Sequence, residues 1–494
     1  MANSKLPVWS PAHSDYGQVF TEQNPWHITH VVPSAWALPV ERPLARHLWQ
    51  RLLENSPRRF QLILGPRRVG KTTSLYQTAG RLIKAGVSAN RIWWLRLDHP
   101  LLMNLDLGDL VRSILRTSSA SPEKPLFLFL DELTYAKDWD LWLKTFFDET
   151  WPLTISGSSS STAALRQIRT ESGVGRWEEQ YLAPYLFGEY LELFERPFDI
   201  RTGDSLTQTI EAVAEQRPFI ADLADMRRRF VLTGGFPELL IAAKTSKEDE
   251  ASLLLDSQRT LRSDAVERAI YKDIPQAFGI ENPMLMERLL YTLAGQMGGI
   301  LSAATICRSL ANMTEATFDR YLSFLERAFL VFTLPNYSGA EAARQRRGKK
   351  IYFVDGAVRN AALQRGISPL SDAIEMGALI ENLAASHLHA LGQHSQVRLY
   401  HWRHQNDEVD LIYDHPEFPL AFEIGSSAGH SRRAMHRFIE QHPRFKGKCY
   451  LVAPQIVTRK AGDTEDGIGT IALDLFLLAV SAQAEAQLRL RLGV

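Results

Sequence analysis

Residues 60–82 read FQLILGPRRVGKTTSLYQTAGRL, and this stretch decides the fold of the first part of the chain. An apolar strand, 60–64, leads into a glycine-rich turn, and a helical pattern follows from Thr72 to Ala85. The turn fits G-x-x-x-x-G-K-[ST], a loop whose backbone N–H groups surround the phosphates of a nucleotide. The predicted binding residues are Gly65, Pro66, Arg67, Arg68, Val69, Gly70, Lys71, Thr72 and Thr73.

A second motif contains the acidic residues that would bind Mg²⁺ and activate the attacking water. The apolar strand 126–130 ends in Asp131 and Glu132, roughly 60 residues after the loop. We expect Lys71 to reach the β and γ phosphates, and the Thr72 hydroxyl and Asp131 to hold Mg²⁺. Glu132 is then placed to polarise the water that attacks the γ phosphate.

The spacing of these motifs predicts the fold class. Apolar strands recur at 92–97 and 153–156, separated by helical segments, which is typical of a parallel sheet covered on both faces. The extra strand between the two motifs and the glutamate after the aspartate favour the ATPase branch of P-loop proteins (AAA/ASCE type) over GTPases and small-molecule kinases. The predicted class is an α/β P-loop NTPase, and the predicted reaction converts ATP and water to ADP and phosphate.

Two further side chains are candidates for roles at the γ phosphate, one as a sensor and one as an arginine finger. The fourth strand ends in TISGSSS, where Ser156 is the candidate sensor, although a serine-rich loop explains the same letters. Arg176, just before a strand-like segment, is the candidate arginine finger for a neighbouring subunit. Arg166 and Arg169 are alternative candidates for that role. A finger that acts in trans implies a homo-oligomer, which we expect to be a ring such as a hexamer.

The composition excludes several classes of protein. The 494 residues include 56 basic and 56 acidic side chains, so the net charge of zero argues against a general nucleic-acid coating protein. Two cysteines exclude a disulfide scaffold and suit a reducing cytosol. The segment 1–15 lacks the apolar run of a signal peptide, and the apolar stretch 471–480 is too short to span a bilayer. We therefore expect a cytoplasmic protein without a membrane partner.

Residues 205–335 have a mostly helical pattern that ends in a possible DNA-binding element. Two amphipathic helices, 303–310 and 315–328, are followed by apolar strands at 330–334 and 351–354, the order of a winged helix. A basic cluster connects the strands, and phosphate contact or a solvated hairpin would explain it about equally well. The candidate nucleic-acid residues are Arg344, Arg346, Arg347, Lys349 and Lys350.

The motifs, taken in order, resemble those of archaeal-type AAA-like ATPases found widely in prokaryotes. The matching letters are GPRRVGKTT, FLFLDEL, TISGSSS, GRWEEQYLAPYLFGEYLEL, GGFPELL, YKDI, YLSFLERAFLV, KIYFVDGAVRN, GALIENL, NDEVDLIYD and AFEIG, between about 40 and 455. The resemblance implies an ATPase core, a winged helix and a C-terminal restriction-endonuclease-like α/β domain.

That C-terminal domain lacks part of a nuclease motif. Asp410 and Glu423 occupy the two acidic positions of PD-(D/E)xK enzymes, and Glu381 is the candidate helix acid. The lysine position is Gly425, and two serines follow it, so we expect a degenerate site that does not cut. Such a domain can still hold DNA or mediate assembly.

The expected domains are an N-terminal extension (1–43), a P-loop ATPase domain (44–204), a helical lid with a winged helix (205–365) and a degenerate nuclease-like domain (366–494). The favoured function is an oligomeric, DNA-associated ATPase that moves or remodels DNA, for example at junctions. The alternatives are an ATP-controlled signalling or assembly switch and an ATP-coupled nuclease.

Overall fold

The computed structural model describes residues 13–160, 175–216, 223–245, 250–280, 282–311, 313–338, 348–425 and 432–494. The chain forms two compact units. The described residues of the first lie within 1–64, 71–160 and 164–180, and those of the second within 65–70 and 181–494.

A five-stranded sheet forms the centre of the first unit. Its strands are β1 (Phe60–Leu64), β2 (Ile92–Arg96), β3 (Leu126–Asp131), β4 (Leu153–Ser159) and β5 (Trp177–Tyr181). Their order across the sheet is β2-β3-β4-β1-β5, and the β2–β3, β3–β4 and β1–β4 pairs are parallel. Both β1 and β3 are buried along their whole length, as their largely apolar sequences predict. The strand between them is β4, so the carboxyl end of β4 lies beside that of β3.

The helices of the first unit cover this sheet, and the N-terminal segment protects one edge of it. The helices are His13–Gln23, Trp26–Thr29, Ser34–Ala37, Pro43–Glu54, Lys71–Lys84, Leu107–Thr117 and Trp139–Asp148. Asn24 accepts a hydrogen bond from the Trp94 backbone N–H at 2.6 Å, and the Trp26 indole donates to the Ile92 carbonyl at 2.8 Å. These side chains satisfy backbone groups of the edge strand β2 that would otherwise be open to pairing.

The first part of the second unit is helical. Its helices are Phe187–Leu193, Leu206–Gln216, Leu223–Thr233, Pro237–Thr245, Glu250–Leu261, Ile274–Phe278, Pro283–Ala294, Ala303–Ser309 and Glu315–Arg327. Two π-helical segments, Arg262–Glu267 and Ala269–Asp273, precede the helix at Ile274. Thr314 caps the last helix through its hydroxyl, as its sequence position predicts.

Two sheets complete the second unit. Strands β6 (Val331–Leu334) and β7 (Lys350–Phe353) pair antiparallel, and the helices Gly356–Leu363 and Ala373–Ser395 follow. The larger sheet contains β8 (Leu399–His404), β9 (Asp407–Tyr413), β10 (Leu420–Ile424), β11 (Cys449–Ala453) and β12 (Ile468–Ala472) in sequential order. The β8–β9 and β9–β10 pairs are antiparallel, whereas the other two are parallel. The helices Arg433–Gln441 and Leu473–Leu492 complete this region.

Within the described ranges, no helix has both the length and the apolar composition required to cross a bilayer.

Candidate functional site

The glycine-rich turn has the backbone shape that its motif predicts. A Cβ atom added to Gly65 would lie 2.2 Å from the Leu182 carbonyl oxygen, so only glycine fits there. Gly70 has a φ of 89° and Arg68 a φ of 65°, both in the left-handed region. Left-handed residues alternating with right-handed ones turn successive N–H groups toward one point, which is how such loops bind phosphate.

The helix Lys71–Lys84 starts directly after the turn and presents its N-terminal residues to the same end of the sheet. Lys71 is buried, Thr72 is exposed and Thr73 is half-buried. The first N–H groups of a helix and the positive end of its dipole favour an anion. The side chains of Arg67 and Arg68 instead form ion pairs with acids, so the contribution of these two residues to phosphate binding would come from their backbone N–H groups.

Thr72 and Asp131 come together at the carboxyl end of β3. The Thr72 hydroxyl lies 3.0 and 3.1 Å from the two carboxylate oxygens of Asp131. Burial, and then the charge of Glu132, raise the pKa of Asp131 to about 6, while hydrogen bonds from Ser158 and Thr72 oppose that shift. A hydroxyl beside a carboxylate is a donor set that suits Mg²⁺, and a cation at this carboxylate would lower its pKa.

Glu132 adopts an unusual backbone conformation immediately after the strand. Its φ of 53° is left-handed, which a residue with a side chain adopts only when its surroundings hold it there. The Ser158 hydroxyl accepts a hydrogen bond from the Glu132 N–H at 3.1 Å, and the Ser160 hydroxyl lies 3.4 Å from the Glu132 carboxylate. These contacts fix the direction of the side chain that we expect to activate water.

The structure places Ser158, and not Ser156, beside the acidic pair. Ser156 lies in the middle of β4, opposite Phe129, and is fully buried. Within the described part of the chain, its hydroxyl has no hydrogen-bond partner. Ser158, two residues nearer the carboxyl end, donates to Asp131 at 2.5 Å. The prediction for Ser156 is therefore wrong: the strand continues to Ser159, so Ser156 lies too far from the strand end to reach the acidic pair.

Arg176 lies at the opposite end of β1 from the turn. Its carbonyl accepts from the Phe60 N–H at 3.0 Å, at the first residue of the strand. The five residues of β1 span roughly 16 Å, so the Arg176 side chain cannot reach a phosphate bound at the far end of β1 in the same subunit. Its guanidinium makes two hydrogen bonds to Asp148, at 2.7 and 3.0 Å. Arg166 and Arg169 lie outside the described residues.

The candidate nucleic-acid residues divide into three groups. Arg344, Arg346 and Arg347 lie outside the described residues, and Lys349 is exposed. Lys350, the first residue of β7, is 2% exposed, so its ammonium group cannot contact a phosphate on the surface. The prediction for Lys350 as a DNA contact is therefore wrong, because the chain directs this side chain into the interior.

Lys350 contacts three carboxylates near the predicted nuclease-like residues. Its ammonium lies 2.8 Å from Asp410, 2.9 Å from Glu381 and 2.5 Å from Glu408. The Tyr352 hydroxyl also donates to Glu381, at 2.6 Å. Burial, and then the charge of Asp410, raise the pKa of Glu381 to about 7 despite the nearby ammonium.

The chain thus brings a lysine to Asp410 from a different strand. Gly425 follows β10 and has no side chain, as the sequence indicates, and Glu423 is buried on that strand. Sequence spacing could not reveal Lys350, which lies 60 residues from Asp410 along the chain. Within the described ranges, no group of three or more histidine, cysteine or acidic side chains is arranged to hold a metal ion. The ammonium group instead supplies the positive charge among these acids.

Three family models match separate parts of the chain. Residues 57–191 match an AAA domain. Residues 225–369 match a domain of unknown function (DUF8612), and residues 376–471 match another (DUF4143). The AAA match contains the glycine-rich turn, the acidic pair and the whole five-stranded sheet. Residues 57–191 are thus similar to AAA domains and have an α/β P-loop NTPase fold.

Relatives extend the similarity along the chain. An uncharacterized protein of Methanocaldococcus jannaschii is 25% identical over 351 residues, which cover 69% of this chain and 69% of the relative. An uncharacterized protein of Haemophilus influenzae is 20% identical and covers 76% of this chain and 86% of the relative. Among solved structures, a Walker-type ATPase of Pyrococcus abyssi covers 64% of this chain and 94% of its own, with 13% identity and a TM-score of 0.40.

Proposed function

We propose that this chain hydrolyses ATP to ADP and phosphate, with Glu132 as the base that orients and activates water. The observation that supports it best is the convergence of Thr72, Asp131 and Ser158, together with the fixed backbone of Glu132. Thr72 and Asp131 would hold Mg²⁺, which supplies positive charge to the phosphates when it is bound. Lys71 would neutralise the β and γ phosphates, and Ser158 would keep the Asp131 carboxylate ionised and oriented.

Two variants test this assignment. Lys71→Ala should abolish measurable ATP binding, because it removes the main countercharge of the phosphates. Glu132→Gln should bind ATP normally and turn it over at least about a hundred-fold more slowly, because only water activation is lost. Fluorescent-nucleotide titration and a phosphate-release assay measure the two effects. Normal ATP affinity in Lys71→Ala, or normal turnover in Glu132→Gln, would contradict these roles.

We further propose that the ATPase acts on DNA, as a motor or remodeller. Support comes from the order of helices Ala303–Ser309 and Glu315–Arg327 and the antiparallel pair β6–β7, which is the order of a winged helix. The connection between the two strands carries Arg344, Arg346, Arg347 and Lys349, at the position where winged helices contact phosphate.

The test compares turnover with and without single-stranded, duplex and four-way-junction DNA. Neutralising Arg344, Arg346, Arg347 and Lys349 together should weaken DNA binding and leave basal turnover unchanged. The slope of log affinity against log salt should also fall, by roughly one unit per lost phosphate contact on duplex DNA. DNA affinity and a salt slope equal to those of the wild type would contradict the DNA role and favour a signalling switch.

For the C-terminal region, we propose a nuclease-like domain that does not cut. Its support is the Lys350 ammonium, which occupies the space between Asp410 and Glu381 where a metal-dependent enzyme would hold its cation. Incubation of plasmid and junction DNA with Mg²⁺ or Mn²⁺ should leave the DNA intact. Metal-dependent cleavage that disappears in Asp410→Ala would refute this proposal and support the ATP-coupled nuclease.

A further inference from the structure

Arg67, in the glycine-rich turn, forms a bidentate ion pair with Asp273. Its Nε and Nη2 atoms donate to the two oxygens of Asp273, and the Nη2 contact measures 2.7 Å. The Arg67 and Asp273 side chains are only 13% and 11% exposed. A bidentate pair that is shielded from water fixes the orientation of the two side chains and stabilises the fold more than an ion pair at the surface does.

Arg68, the next residue, is held by two other acids. Its guanidinium lies 2.6 Å from the Glu238 carboxylate and also contacts Asp264. At 42% exposure, the Arg68 side chain gains less from these contacts than Arg67 gains from Asp273. The two contacts nevertheless oppose the strain of the left-handed backbone at Arg68.

The acids lie on a well-supported part of the second unit. Asp264 and Asp273 belong to the two π-helical segments, a helix geometry that is rare and frequently marks functional sites. Val266 and Ile270 in the same segments are fully buried. The backbone that carries these carboxylates is therefore fixed by packing, and the carboxylates can fix the turn in the same way.

We propose that Asp273 is a positioning residue of the ATP site and acts through Arg67 on the phosphate-binding turn. The inference rests on the proposed ATPase function and assigns a role to the YKDI motif, which the ATPase chemistry leaves unexplained. Asp273 holds the Arg67 side chain and thereby the backbone N–H groups of the turn. Without the carboxylate, the guanidinium and the turn sample other arrangements, and the phosphates must reorder them on binding.

The experiment is a double-mutant cycle read by ATP affinity. Asp273→Asn removes the charge with little change in shape, and Arg67→Gln removes the other partner. Each single variant should raise the Kd and the KM for ATP about ten-fold and change kcat much less, because loop order is lost while Glu132 and Asp131 remain. The double variant should bind ATP no more weakly than the single variants, because both changes break the same contact. Asp273→Glu should restore part of the affinity.

A matched control and the wild type separate the outcomes. Asp256→Asn removes an exposed ion pair with Arg259 in the preceding helix and should leave ATP affinity unchanged. If the wild type binds ATP and Asp273→Asn binds it equally well, this inference is refuted while the ATPase assignment stands. Additive losses in the double variant would also refute it. A wild type that binds no ATP would refute both. If Asp273→Asn fails to fold, Arg67→Gln and Asp273→Glu carry the same test.

Discussion

Ser158→Ala is the substitution that best tests the geometry at the end of β3. The Ser158 hydroxyl donates to the Asp131 carboxylate at 2.5 Å and accepts from the Glu132 N–H at 3.1 Å. Alanine removes both bonds and barely changes the volume. Ser156→Ala is the matched control, because it removes the same atom two residues earlier in the same strand.

The size of the effect follows from the charge on Asp131. A hydrogen bond to an ionised group contributes about 1.5–3 kcal/mol, which corresponds to roughly a ten- to hundred-fold change in an equilibrium or a rate. The Ser158 hydrogen bond lowers the pKa of Asp131, which burial raises to about 6, so its loss raises that pKa further. The carboxylate of the variant is then less available to Mg²⁺ near neutral pH.

The assay is steady-state ATP turnover measured against Mg²⁺ concentration at several pH values. Ser158→Ala should need more Mg²⁺ for half-maximal turnover, and the difference from the wild type should grow as the pH falls toward 6. Ser156→Ala should keep normal turnover and equal or higher thermal stability, since it removes a buried hydroxyl that has no hydrogen-bond partner among the described residues. Equal Mg²⁺ dependence in wild type and Ser158→Ala would refute the reasoning, as would a larger defect in Ser156→Ala.

Three further predictions follow from charges in the structure. Because burial raises the pKa of Asp131 from 3.8 to about 6, the folded state binds more protons than the unfolded state in that window, and stability falls as pH rises through it. Nucleotide-free Asp131→Asn should lose this fall, on the order of 2 kcal/mol, in denaturant titrations at pH 4 and 7. Lys350→Met leaves its acids without their cation and should lower the free energy of unfolding by about 3–5 kcal/mol, with partial recovery in Lys350→Met/Glu381→Gln. If Arg176 acts as a finger in trans, Arg176→Ala should lower ATP turnover at high protein concentration without weakening ATP binding. Asp148→Ala, which removes the partner of Arg176, should keep normal turnover. Equal turnover in the two variants would exclude a finger.

The AAA-like domain could be predicted because its sequence signals are local. A strand, a glycine-rich turn and a helix follow each other within residues 60–84, and each is decided by the residues it contains. The acidic pair is an equally local signal, since an apolar run that ends in two acids indicates the end of a buried strand. The structure and the AAA match confirm this α/β P-loop fold.

Predictions that depended on a strand's last residue or on distant pairing were weaker. The letters TISGSSS give no sharp end to β4, so the sequence favours Ser156, whereas the longer strand brings Ser158 to the acids. The basic neighbours of Lys350 in the sequence likewise predict one charge of a surface cluster, whereas its side chain is buried. The pairing of Lys350 with Leu334 of β6 and its bridge to Ile300 hold this residue in the interior, and such pairing depends on register.

The two glycines of the GGFPELL motif, Gly234 and Gly235, pack against the buried carboxylate of Asp355. Asp355 accepts hydrogen bonds from the N–H groups of Gly235 and Ala357, each at 2.7 Å. Gly234 has a φ of 69°, and an added Cβ would lie 2.4 Å from the Asp355 carboxylate, so a side chain is excluded there. Burial raises the pKa of Asp355 to about 6, a cost that the two N–H donors offset.

The same motif continues to the turn itself. Pro237 lies 3.6 Å from the position that a Cβ atom on Gly70 would occupy, and Glu238 pairs with Arg68. Asp355, which follows β7, therefore binds the Gly235 N–H and leaves no room for a side chain at Gly234, and the residues that follow these glycines contact the glycine-rich turn. In the proposed ATP site, Glu238, Asp264 and Asp273 would influence ATP affinity through their ion pairs with Arg67 and Arg68, and not as catalytic side chains.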